Sequence, residues 1–125
     1  MRIDWSDYPN FSAHEFRCKH TGRNEMDPEF VRFLQKVRSA YGKPMRVTSG
    51  YRAPEHPIEA VKSRPGAHAS GRAADIAVGP GEDVYDLVRI ALAYGAQGVG
   101  ISQRINRPRF VHLDTVEHRR AIWSY

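Results

Sequence analysis

Apolar residues recur every three or four positions after Asp27. Phe30, Leu34, Val37 and Tyr41 form one stripe, the spacing of an amphipathic helix. Asp27 fits its N-cap and Pro28 its first position, while Gly42 and Pro44 stop it. Val84, Leu87, Val88 and Ala91 form a second stripe, predicting a helix over 82–94 with Gly95 at its end. Period-two or continuous apolar runs predict strands over 45–49, 73–78, 98–101 and 109–114, with a turn near Asn106-Arg107-Pro108. Ser12 and Glu15 have capping-box spacing, which predicts a short helical turn over 11–16. Residues 52–67 contain Pro54, Pro57, Pro65 and Gly66 and read as a long loop, a kind of segment often functional in a small domain. The tail from Arg119 to Tyr125 ends in Ile122-Trp123-Ser124-Tyr125 and is expected to pack back. Helices and strands do not alternate regularly, so the fold class is α+β with a mainly antiparallel sheet and flanking helices.

With 125 residues the chain fits one domain spanning 1–125, over which the aromatic-rich segment 1–26 packs. No apolar run reaches the length of a membrane span. The first residues contain no apolar signal-like core, which predicts synthesis in the cytoplasm without a secretory signal. The single cysteine, Cys18, excludes an intrachain disulfide and reads as a small apolar residue. A net charge of +5 favours polyanionic partners such as an anionic cell-wall polymer. The basic residues are spread out, with denser spots at Lys43/Arg46, Arg104/Arg107/Arg109 and Arg119-Arg120, and read as a solvated surface. There is no phosphate-binding loop, dinucleotide fingerprint or serine-nucleophile elbow.

The chemistry-bearing residues fall in three places. His68 follows a Pro-Gly turn, and Asp75 stands seven residues later in a strand, beyond the flexible Ser70-Gly71. His112 lies in Phe110-Val111-His112-Leu113-Asp114. Strand alternation puts Phe110, His112 and Asp114 on one face and Val111 and Leu113 on the other. Two imidazoles and a carboxylate are the donor set of a catalytic zinc site, which keeps one position open. Asp114 beside His112 suits a carboxylate that orients the imidazole or acts as general base. Ser49-Gly50-Tyr51-Arg52 places a guanidinium after a tight strand exit, where it can grip a carboxylate. His14 and His118 are expected at the surface, and Cys18 with His20 offers too few ligands for a structural zinc site.

Ser49-Gly50-Tyr51-Arg52, His68-x-x-Gly71-x-Ala73-x-Asp75 and Phe110-Val111-His112-Leu113-Asp114, in that order, resemble the zinc D-Ala-D-Ala carboxypeptidase family. That family shares its fold and metal site with phage-type L-alanyl-D-glutamate endopeptidases and the hedgehog signalling domain. The likeness extends over residues 11–16, the helix from Asp27 and the Gly42-Lys43-Pro44 exit, and is greatest to the small phage and bacterial members. It implies that His68, Asp75 and His112 bind Zn²⁺ and that Arg52 holds the substrate carboxylate or the developing oxyanion. It also implies a peptidoglycan stem peptide as substrate. Many relatives place an acidic base three residues before the last histidine ligand. Arg109 stands there in this chain, so Asp114 is the candidate base, with Glu55 and His56 behind it.

These observations imply a monomeric zinc peptidase without a membrane partner, acting at the bacterial cell wall after release or from a virion. A binding module that retains zinc without catalysis is the alternative, motivated by Arg109. A basic nucleic-acid-binding domain ranks third, because it gives no reason for the His68/Asp75/His112 set.

Overall fold

The computed structural model describes residues 3–64, 66–79, 81–117 and 120–125. Met1, Arg2, Pro65, His118 and Arg119, which the N-terminal segment, loop, surface and tail expectations include, lie outside them. The elements run in the order α1 (Ala13–Phe16), α2 (Pro28–Tyr41), β1 (Arg46–Ser49), α3 (Pro57–Ala60), β2 (Ala73–Ala77), α4 (Glu82–Ala93), β3 (Gly98–Ser102), β4 (Phe110–Asp114) and β5 (Ala121–Ser124).

Local chemistry sets the helix ends. Asp27 Oδ1 accepts the Glu29 N–H at 2.8 Å, Pro28 opens α2, and Gly42 closes it in the left-handed region at φ 74°. Ser12 and Glu15 form the expected capping box at α1. Phe16, at the end of α1, is fully buried, stacked on Trp5 and edge-on to Phe11. Tyr8, Phe11, Phe16, Cys18 and Met26 thereby join the core, so the N-terminal segment is part of it.

Two segments differ from the sequence reading in detail. The loop over 52–67 contains one helical turn, α3: His56 Nδ1 accepts the Ile58 N–H and Pro57 occupies the first helical position. The tail does more than pack back, since it adds β5 to the sheet.

The sheet order is β1-β2-β4-β3-β5. All pairs are antiparallel except β3 with β5, which run parallel. One face carries Ala74, Ile76, Val99, Val111 and Leu113 into a core shared with Phe30, Leu34, Leu87 and Ala91 of α2 and α4. The opposite face of β2 and β4 presents Asp75, His112 and Asp114, all buried. This is the alternation expected of a strand, with both faces covered in the middle of the sheet. Register then builds a single row across all five strands: Ser49, Asp75, His112, Gly100 and Trp123 are successive partners.

Candidate metal centre

His68, Asp75 and His112 converge, with one ligand atom from each lying within 4.8 Å of the others. Asp75 and His112 face each other directly across the β2–β4 pair. His68 arrives from a 3-10 turn over His68–Ser70, closed by Gly71 at φ 76°. A side chain at Gly71 would also collide with the Glu25 carbonyl, at 2.4 Å from an ideal Cβ. Glycine is therefore needed there both for its conformation and for space.

Hydrogen bonding fixes which nitrogens face inward. A carbonyl can only accept, so His68 Nδ1–H donates to the Gly50 carbonyl at 2.8 Å, which leaves Nε2 as the inward lone pair. That nitrogen lies 3.3 Å from Asp75 Oδ1. His112 Nε2 lies 2.8 Å from Asp114 Oδ2, and its Nδ1 lies 3.1 Å from the same Asp75 Oδ1. Two imidazole nitrogens thus meet one carboxylate oxygen. Without a cation between them, that arrangement needs protons to avoid lone pair facing lone pair. Two nitrogens, one oxygen and a carboxylate behind one imidazole are the donor set of a catalytic zinc site, so these residues fit the metal.

The titration behaviour follows. Burial would raise the Asp75 carboxyl, but the hydrogen bonds from His112 and His68 and their charges hold it well below the carboxylate range. Burial would lower His112, but its hydrogen bonds to Asp114 and Asp75 and their charges outweigh that and push it up. In metal-free protein a raised histidine contributes stability below its ordinary 6.5 and loses it as pH climbs through the folded value. A depressed carboxyl contributes above its ordinary 3.8 and loses it only in strong acid. Chelated protein is therefore expected to melt lower at pH 8 than at pH 6. Zinc affinity should run the other way, because the metal needs deprotonated imidazoles. Thermal melts with chelator and with zinc across this range check both signs. A chelated protein that gains stability above pH 6.5 contradicts the assignment.

The remaining candidates are placed as follows. Arg52 lines the same cavity, its Nη2 3.8 Å from Asp75 Oδ2. Gly50, expected only as a tight exit, is required by packing: an ideal Cβ would come 2.7 Å from Phe16 Cα. Asp114 is 0% exposed; besides His112 it accepts the Val116 N–H at Oδ1. Glu55 pairs with Arg23 and His56 caps α3, so both are engaged outside the cavity lining. Arg109, one residue before β4, falls by alternation on the Val111/Leu113 face rather than the His112 face.

The cavity over the triad measures about 460 Å³, a size suited to a small ligand. Larger grooves lie near Trp5 and along α4, at about 810 and 910 Å³, but neither is lined by a histidine or cysteine. Ile58, Lys62, Phe110, Trp123 and Tyr125 are among the other residues that line the cavity holding the triad. Sequence reasoning missed Lys62, Trp123 and Tyr125 as site residues. The signal for the last two was the alternation Trp123-x-Tyr125 together with Gly98-x-Gly100, two bare positions on one strand face.

The Peptidase M15 family model matches residues 9–114. That span takes in Arg52, His68, Asp75, His112 and Asp114 and ends before β5. No curated protein matches the chain.

Proposed function

The chain belongs to the Peptidase M15 family of zinc metallopeptidases, and we propose that it cleaves peptide bonds in the stem peptides of bacterial peptidoglycan. The observation that carries this reading is the convergence of His68, Asp75 and His112 beneath a cavity also lined by Arg52. Zinc held by these three residues would supply a Lewis acid and a bound water with a pKa near ~7. Arg52, whose guanidinium offers a planar fork of donors, orients a substrate carboxylate or meets the developing oxyanion. His68 is held in one tautomer by the Gly50 carbonyl. Asp114 does the same for His112. Its complete burial and its two engaged oxygens support a positioning role for this carboxylate in preference to direct proton transfer. The reading goes with action at the cell wall after release from the cytoplasm, or from a virion, and the positive charge suits an anionic wall. No helix among the described residues is long and apolar enough to cross a membrane.

One observation favours the non-catalytic alternative. Among the described residues, Asp75 is the sole carboxylate lining the cavity, and it is itself a candidate ligand. Digestion of purified peptidoglycan by zinc-loaded protein, with mass analysis of products, separates the two readings. The expected result is chelator-sensitive release of D-Ala or a stem-peptide fragment. Arg52→Ala should retain one zinc per chain and lose roughly 10²–10³ in kcat/KM. Full zinc occupancy with no released product from any stem peptide would establish the binding module instead.

A further inference from the structure

We propose that β5 forms a specificity wall of the cleft, in which Trp123 and Tyr125 hold an uncharged aliphatic side chain of the substrate peptide beside the metal-binding row. The inference rests on the peptidase reading and adds to it a recognition element outside the matched span of the family, which ends at residue 114.

The wall is built by register. Trp123 is the partner of Gly100, which is the partner of His112. The indole ring lies 5.2 Å from the His112 ring, and Tyr125 lies 5.1 Å from Phe110. Both seats depend on Gly100 having no side chain. An ideal Cβ there would come 2.6 Å from Trp123 Nε1 and 2.9 Å from Tyr125 Cε2. Trp123 is half-buried and Tyr125 is 49% exposed, so aromatic surface remains open to the cavity both residues line.

The chemistry of the cleft selects the occupant. Arg52 and Lys62 also line the cavity, Lys62 paired with Glu59, and the cavity's carboxylate among the described residues, Asp75, already faces Arg52, His68 and His112, so an ammonium group finds no open anionic partner there. Aromatic faces pack well against aliphatic groups. A carboxylate goes to Arg52, and the remaining wall suits a small aliphatic residue.

The test uses the zinc-loaded 125-residue chain carrying Trp5→Phe, which leaves Trp123 as its single tryptophan. Three N-acetylated tripeptides with free C-termini, bearing alanine, lysine or glutamate at the middle position, are titrated against its fluorescence and assayed for cleavage. The alanyl peptide is expected to shift Trp123 emission saturably and to bind at least about tenfold tighter than the lysyl peptide. Trp123→Ala should keep one zinc per chain, lose about 10–100-fold in kcat/KM mainly through KM, and no longer prefer alanine over lysine. Gly100→Ala should lose the same preference, and the double variant should be no worse than the more impaired single. An emission spectrum unmoved by saturating alanyl peptide, or an unchanged preference in zinc-replete Trp123→Ala, overturns the wall. If wild-type protein cleaves none of the peptides, that failure belongs to the peptidase reading, and the emission titration still decides the wall.

Discussion

Alanine at His112 is expected to strip the protein of stoichiometric zinc, to lower peptide cleavage by at least about a thousandfold, and to destabilise the fold. The first two effects follow from losing one of three ligands. The third follows from where the imidazole sits. His112 lies between Asp75 at 3.1 Å and Asp114 at 2.8 Å, all three buried. Removing it leaves two buried carboxylates without their shared partner, a loss of about 3–5 kcal/mol by analogy with broken buried ion pairs. His68→Ala should lose zinc as completely but cost less stability, about 1–3 kcal/mol, because it orphans mainly the Gly50 carbonyl. Metal analysis and thermal or denaturant unfolding of both variants check this. Unchanged zinc content in the two proteins would remove the site assignment.

Gly98→Ala is expected to lower stability and zinc affinity together. Gly98 is the partner of Asp114 across the β3–β4 pair. An ideal Cβ would come 2.2 Å from Asp114 Oδ2 and 2.6 Å from its Cγ, so the carboxylate must leave its place. The overpacking is expected to cost about 1–3 kcal/mol. Losing the group that holds His112 should weaken zinc binding by roughly 10–100-fold, the usual effect of removing a carboxylate behind a ligating histidine. Adding Asp114→Ala to Gly98→Ala should recover stability by making room, without recovering zinc affinity. Competitive zinc titration and unfolding of the single and double variants measure both quantities. Wild-type affinity in Gly98→Ala would show that Asp114 does not position His112.

Local rules explain what was legible in the chain. The ends of α2 follow from Asp27, Pro28 and Gly42, and the shared face of His112 and Asp114 on β4 follows from alternation. The triad was found because each member sits in a recognisable segment. What stayed hidden depends on partners distant in sequence. The turn α3 lay inside a proline-rich stretch whose start signals, His56 and Pro57, were outweighed by Pro54 and Pro65. The alternation of Trp123 and Tyr125 marks one strand face, but nothing local shows that β5 pairs in parallel with β3, and only that pairing sets Trp123 beside His112. The need for Gly50 and Gly98 is likewise invisible until Phe16 and Asp114 are in position.

The strand order has a consequence for how the molecule is assembled. β4 is the middle strand, with β1 and β2 on one side and β3 and β5 on the other. Until it is inserted, the two flanks of the sheet have no ladder between them. The strand that joins them also carries His112 and Asp114. Docking of β4 would thus complete the sheet and the proposed metal site together. A chain trapped with β4 undocked holds neither a continuous sheet nor more than two of the three ligands. Because β4 carries one of the three proposed ligands, full zinc occupancy would report molecules in which that central strand is docked.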